Sequence, residues 1–319
     1  MKLGLETESC HLLFQHRKMD VFSFIRKTWE LGLEGVELNI IPDLNLHPEF
    51  GVLDGDEKRY LHRIREAIEQ YNLYCEIDTR FCEKAALAKA LVIANELGAD
   101  VVRTYVSNGK FNPERMKKAP ENLREIVPLL KKYRIQLALE NHEHETSAEI
   151  IQIIKAVDSI WVGAHCDIGN AMMAWEDPVE AVKALAPYTY STHFKDHIVT
   201  LHDDTPVVCG VPIGQGSIDV DECFRLLVEH SPVKRINIEN CYPYCAPFAR
   251  PQGTGGVDQF TGAFAIKPTI FPASLIKPLD YYYPHNISAE ALAQLTQAQI
   301  EALKISRDKL IELRHKYCQ

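Results

Sequence analysis

Three things are missing from this sequence, and each absence removes a class of function. No stretch of 18 or more apolar residues occurs, so no membrane-spanning helix is expected. No basic cluster is longer than Lys117-Lys118 or Lys131-Lys132, and the net charge is −9, which disfavours a nucleic-acid partner. The nine cysteines form no CxxC pair and are odd in number, so neither a zinc ribbon nor a closed disulfide set is expected. Cys75, Cys166 and Cys223 lie in apolar runs and read as buried thiols, and a reducing cytoplasm fits them best. The first residues, Met1-Lys-Leu-Gly-Leu-Glu6, carry charge where a signal peptide needs an apolar core, and they read as a strand. The early turns carry no GxGxxG or Walker sequence, against a nucleotide-binding open sheet.

What is present is an alternation of strand and helix over 319 residues, 46% of them hydrophobic. Strands are expected at Lys2–Glu6, Val36–Ile40, Leu73–Asp78, Val101–Val106, Ile135–Glu140, Val162–Asp167, Thr189–Lys195 and Ile236–Glu239. Helical spacing fills the intervals at Val21–Leu31, Glu57–Tyr71, Glu83–Leu97, Glu114–Tyr133, Ser147–Val157, Pro178–Leu185 and Asp221–Glu229. Gly98 reads as a C-cap, and Pro120 and Pro128 predict a bend or break in the fourth of these helices. A loop containing Gly214-Gln-Gly216 is expected after strand seven. The strands are mostly continuous apolar runs, the pattern of parallel strands covered on both faces. Eight of them predict an α/β fold of the closed (β/α)8 TIM-barrel type, as one domain over residues 1–319.

Residues 241–287 interrupt the pattern after strand eight with seven prolines, four glycines and nine Tyr or Phe, including Tyr281-Tyr-Tyr283. The aromatics can bury area, so this long excursion reads as a lid or subunit contact over the barrel mouth. A long closing helix follows, with Leu292, Leu295, Ile300, Leu303, Leu310 and Leu313 on one face.

Strands five to eight share one feature. Leu137-Ala-Leu-Glu-Asn-His142, Val162-Gly-Ala-His-Cys-Asp167, Thr189-Tyr-Ser-Thr-His193 and Arg235-Ile-Asn-Ile-Glu239 each end on a residue that can bind a cation. A barrel places its active site at these C-terminal strand ends, so Glu140, Asp167, His193 and Glu239 are expected to converge as ligands. Three carboxylates and one imidazole form a hard, oxygen-rich set, better suited to Mn²⁺, Mg²⁺ or Co²⁺ than to structural zinc. One acid at a strand end is commonly a solvated or capping residue; four ligand types on consecutive strands are harder to explain that way.

Side-chain alternation selects the neighbours. His142 points with Glu140, placed to touch substrate or shuttle a proton, and is weighed against an ordinary loop histidine. His165 points with Asp167 one layer lower, as a hydrogen-bonding residue inside the barrel. Lys195 points with His193 and either opposes negative charge on a bound substrate or pairs with Asp196 or Asp167. Arg103 either holds a substrate carboxylate or makes a structural ion pair. Asn170, in the turn after strand six, can donate to substrate.

The sequence resembles the xylose-isomerase-like TIM-barrel family of sugar (phosphate) isomerases and epimerases. Leu33-Glu-Gly-Val-Glu37, Leu137-Ala-Leu-Glu-Asn-His142, Cys166-Asp-Ile-Gly-Asn170, His193-Phe-Lys-Asp196, Gly214-Gln-Gly-Ser-Ile-Asp219 and Ile236-Asn-Ile-Glu239 carry the resemblance. It implies one divalent ion on Glu140, Asp167, His193 and Glu239, most often Mn²⁺, with Mg²⁺, Co²⁺ or Zn²⁺ as substitutes. Glu140 and Glu239 would then move protons between neighbouring sugar carbons through a metal-stabilised enediolate. Asn170 stands where several epimerases carry histidine, and no arginine follows His193 where epimerases place one; Lys195 and Arg103 are the nearby cations.

The expected function is therefore a metal-dependent sugar isomerase or epimerase of carbohydrate metabolism, in the cytoplasm, with a small sugar or keto-sugar as substrate. No phosphate-cradling glycine loop is evident, which favours an unphosphorylated sugar. A homo-oligomer is expected, and the family's glycoside-cleaving branch implies a small partner subunit. The alternative is a 3-keto-sugar (3-oxo sugar acid) decarboxylase or 3-keto-glycoside lyase using the same site. An apurinic-site nuclease would need more strand-end histidines and a basic face, and a sugar-binding barrel without catalysis would not need all four ligands.

Overall fold

A computed structural model of the chain describes residues 1–40, 58–268 and 287–318. The barrel strands come in chain order as β1 (Lys2–Glu6), β2 (Gly35–Asn39), β3 (Tyr74–Asp78), β4 (Val101–Thr104), β5 (Gln136–Glu140), β6 (Val162–Asp167) and β7 (Thr189–Phe194). A hairpin of β8 (Asp196–His202) and β9 (Thr205–Val211) follows before β10 (Arg235–Ile238) supplies the eighth barrel strand. The closed order is β1-β10-β7-β6-β5-β4-β3-β2, every pair parallel. The eight expected strands are these eight, within one or two residues at each end.

Helices cover the outside. They are α1 (His11–Gln15), α2 (Val21–Glu30), α3 (Lys58–Gln70), α4 (Lys84–Leu97), α5 (Pro113–Tyr133), α6 (Ser147–Val157), α7 (Asn170–Met173), α8 (Pro178–Leu185), α9 (Val220–His230) and α10 (Ala289–Tyr317). Their starts are held by local chemistry: Asp20, Asn112, Asp177, Asp219 and Ser288 each accept an orphan amide, and Thr146 with Glu149 forms a capping box. Gly98 closes α4 at φ 74°, a left-handed position that glycine adopts at least cost. Contrary to the expected break, α5 runs unbroken through Pro120 and Pro128, anchored by buried Ala119, Leu123, Ile126 and Leu130. On α10, Leu292, Leu295, Leu303, Leu310 and Leu313 are buried and Ile300 is half-buried.

The expected loop holds Gly214-Gln-Gly216, but the chain between strand seven and that loop forms a second sheet. β8 and β9 pair antiparallel across the two-residue turn Asp203-Asp204, both at positive φ, and β11 (Cys245–Pro247) adds to β9. Cys209 and Cys245 face each other across that ladder and are disulfide-bonded, a pair the scattered cysteines did not suggest; Cys75, Cys166 and Cys223 are buried free thiols. Beyond β11 the excursion packs on the chain after α7: Trp175 stacks on Phe248 at 4.0 Å and on Phe264 at 5.5 Å. Its residues 269–286, Tyr281-Tyr-Tyr283 among them, lie outside the described residues. No described helix is long and apolar enough to cross a membrane.

Candidate metal centre

Glu140 and Asp167 are the last residues of β5 and β6, His193 lies in β7, and Glu239 follows the end of β10. His193 Nδ1 is 3.3 Å from Glu239 Oε2, 3.6 Å from Glu140 Oε1 and 3.8 Å from Asp167 Oδ2. All four side chains are almost fully buried. Glu140, Asp167 and His193 thus bring ligand atoms within 4.8 Å of one another, whereas Glu239, though near His193 Nδ1, groups with Glu6 and Glu8.

Each ligand is aimed by a second contact. His193 Nε2 lies 3.1 Å from Glu37 Oε2, leaving Nδ1 for the centre. Asp167 Oδ1 accepts the amides of Gly169 at 2.8 Å and Asn170 at 2.9 Å, which turns Oδ2 inward. The Asn141 amide clamps β5 to β6 by bonding both the N–H and the C=O of Asp167. Arg103 pairs with Glu140 and Asp78. Lys195 pairs with Glu239 and, at 2.7 Å, with Asp167 rather than Asp196.

These contacts set the charges of the metal-free cluster. Burial pushes the Asp167 carboxyl up to about 8 against the pull of Lys195. Burial works on Glu140 and Glu239 too, yet Arg103 holds the first, and Lys195 with His193 the second, well below the usual carboxylate range. Burial opposes protonation of His193, but Glu37 and Glu239 outweigh it and raise its pKa well above the ordinary value.

The residues fit a divalent cation. His193 Nδ1 is buried without a hydrogen-bond partner among the described residues, grouped with the carboxylates of Glu140 and Asp167 and 3.3 Å from Glu239 Oε2. Separations of 3.3–3.8 Å are close to the ~3 Å between neighbouring donors around an octahedral ion bound at ~2.1 Å. Oxygen dominates the set, as Mn²⁺ or Mg²⁺ requires.

A narrow cavity opens beside the centre, lined by Glu8, His142, Glu143, Asn170, Lys195 and Glu239 among others. His142 lies flat against Tyr105 at 3.8 Å, and burial lowers its pKa to about 3, so its imidazole is neutral. Asn170 donates to Glu140 Oε1 at 3.2 Å and accepts from Lys195 at 3.4 Å. Two expected substrate contacts do not line the cavity. Arg103 is taken by its two carboxylates, and His165 is fully buried edge-on to His193, ring centroids 4.1 Å apart. Sequence reasoning missed Glu37, Glu8, Glu143, His197 and Tyr244. Of these only Glu37 had a signal, as an acid inside an apolar strand.

A family model described as "Xylose isomerase-like TIM barrel" matches residues 25–244, more than half the chain. The chain belongs to that family. Its relatives include 3-oxo-isoapionate decarboxylase of Pectobacterium atrosepticum, 26% identical over 163 residues, which are 50% of this chain and 59% of the relative. L-ribulose-5-phosphate 3-epimerase UlaE of Escherichia coli is 23% identical over 169 residues, 51% of this chain and 53% of the relative. The chain thus spans about half the length of the curated relatives it matches. Among solved structures, the IOLI protein with a bound zinc atom superposes with a TM-score of 0.63 at 16% identity, covering 99% of both chains, a likeness of fold.

Proposed function

We propose that this chain is a divalent-metal-dependent sugar isomerase or epimerase that moves a proton next to a sugar carbonyl. The observation that carries the reading is the convergence of Glu140, Asp167 and Glu239 on His193 Nδ1. Those four residues would hold the ion, Mn²⁺ being the first choice for so oxygen-rich a set. When bound, the cation supplies Lewis-acid polarisation of the substrate carbonyl.

The chain's own residues supply the rest. Glu239 lines the cavity and offers a carboxylate that can take a proton from the carbon beside the carbonyl. Glu140, which approaches the same His193 nitrogen, is its partner for returning a proton, with Asn170 steadying Oε1. Neutral His142, fixed by its stack on Tyr105, offers a nitrogen to a sugar hydroxyl. The cavity encloses only about 40 Å³, enough for a few waters, so a sugar enters when the walls move. Cys241 and Tyr244, at the start of the excursion, form one wall, and that described start would move as a lid.

The likeness to a 3-oxo sugar acid decarboxylase favours a second reading, loss of CO₂ from a 3-oxo acid through the same enolate. Incubation with Mn²⁺ in D₂O across ketoses and 3-keto sugars tests the first reading. Deuterium should appear at the carbon beside the carbonyl, and Glu239→Gln should lower the rate on the order of 100-fold or more. CO₂ release without exchange into any ketose supports the second reading instead; no exchange and no release refutes both.

A further inference from the structure

One layer below Glu239, a single side chain crosses the inside of the barrel. Tyr74 opens β3, and in register with it on the following strands stand Gly35 of β2, Gly4 of β1 and Asn237 of β10. Both glycines keep the way clear. A Cβ on Gly35 would overlap the Tyr74 ring, and one on Gly4 would overlap the Tyr74 hydroxyl and Asn237 Oδ1. Glycine weakens a strand interior and often marks the close approach of another group. Here that group is the phenol, which passes over two strands and donates to Asn237 Oδ1 at 2.6 Å. Burial pushes its pKa well above the ordinary value, so the hydroxyl keeps its proton.

That bond constrains the other end of the amide. Asn237 Nδ2 donates to Glu37 Oε2 at 2.8 Å and to Glu76 Oε2 at 2.9 Å, so the NH2 group sits between two buried carboxylates. Glu76 is also held by Arg235 at 3.2 Å and by the Ser191 hydroxyl. Turned the other way, the amide would set its oxygen against both carboxylates. Only one orientation satisfies every partner. Glu37 Oε2, held in this way, lies 3.1 Å from His193 Nε2. The contacts therefore run in series through Tyr74, Asn237 and Glu37 to the imidazole whose Nδ1 faces Glu140, Asp167 and Glu239.

We propose that Tyr74 and Asn237 are positioning residues for the cation: the phenol locks the amide, the amide holds Glu37, and Glu37 fixes the His193 ring. Neither of the two lines the cavity. A carboxylate held by one imidazole alone can still rotate about its side-chain torsions. Tied on a second side, it loses that freedom before an ion arrives, and affinity rises because less ordering is left to do. The inference rests on the metal reading of Glu140, Asp167, His193 and Glu239, and it adds the buried groups that keep their shared imidazole aimed.

The test uses Tyr74→Phe in the full chain, which keeps the ring between the two glycines and removes only the hydroxyl. Mn²⁺ affinity, from competition against a chelating dye, should fall about threefold to tenfold, the worth of one neutral hydrogen bond. The visible spectrum of the Co²⁺-loaded chain, which reports coordination geometry, should change as well. A weaker affinity with an unchanged Co²⁺ spectrum means a general loosening of the barrel and overturns the proposal. An affinity within about twofold of wild type overturns it too. Asn237→Leu cuts the series at its middle, so adding Tyr74→Phe to it should cost nothing further, and additive losses again overturn the proposal. Should Asn237→Leu not fold, the affinity and spectrum of Tyr74→Phe decide. A wild type that binds neither ion removes the metal reading itself, and this inference falls with it.

Discussion

Glu37 Oε2 lies 3.1 Å from His193 Nε2, and this contact decides which nitrogen of the imidazole is left for a cation. The Glu37 carboxylate accepts at Nε2 and is itself held by Asn237 Nδ2 at 2.8 Å. Glu37→Gln keeps the shape but brings an amide that can donate to Nε2, which would move the ring proton to Nδ1, the side the three carboxylates face. Loss of such a partner typically weakens metal binding about 10- to 100-fold. Competition against a chelating dye should show that loss for Mn²⁺, with thermal unfolding confirming an intact barrel. Equal affinity in wild type and variant would show that Glu37 does not orient the ligand.

Arg103 should matter more for folding than for substrate. It is buried, paired with both Asp78 and Glu140, and lies 4.7 Å from the centre of the Tyr105 ring. Arg103→Leu removes the cation and leaves two carboxylates facing each other in the barrel. Breaking one side of a buried pair costs about 3–5 kcal/mol. Urea unfolding should register that loss; a change below about 1 kcal/mol would mean that the acids find other partners.

Much of this was legible in the sequence because barrel strands carry a strong signal. Continuous apolar runs ending on Glu140, Asp167 and Glu239 mark both the strands and their functional ends. The β8–β9 hairpin was less visible, since its tip is Asp203-Asp204 rather than Asn-Gly and Pro206 interrupts the second strand. The partners of Arg103 and Lys195 were not legible at all. Each is chosen among several carboxylates within reach, and only the closed barrel sets those distances. The polar interior is similar: Glu76 lies in a strand whose inward face also meets Asn237, Ser191 and Arg235, contacts that join strands far apart in sequence.

The metal-free protein should lose stability as pH rises from about 5 to about 8, and added Mn²⁺ should reverse the trend. Burial raises Asp167 and Glu8 to about 8, against about 4 in an unfolded chain. A raised acid contributes stability that is complete below its unfolded value and gone once pH passes its folded value. Burial lowers His142 and His197 to about 3; their contribution is present above about 6.5 and lost toward acid, so it opposes the trend below about 6.5 and is constant above it, where the fall is steepest. Metal binding requires deprotonated carboxylates, so the rise in Tm on adding Mn²⁺ should be larger at pH 8.5 than at pH 7. A Tm shift that shrinks with pH would contradict the ligand set.

His142 separates binding from chemistry. Its ring is fixed against Tyr105 at 3.8 Å and lines the cavity, while it belongs to none of the clusters of possible ligand atoms among the described residues. His142→Ala should therefore leave Mn²⁺ affinity unchanged. A side chain that shuttles a proton contributes on the order of 100-fold to turnover, so kcat should fall by about that factor in deuterium exchange. His142→Phe keeps the stack and removes the nitrogens, and should be as slow as alanine. If phenylalanine restores the rate, the ring acts by shape, and the proton travels only between Glu140, Glu239 and solvent.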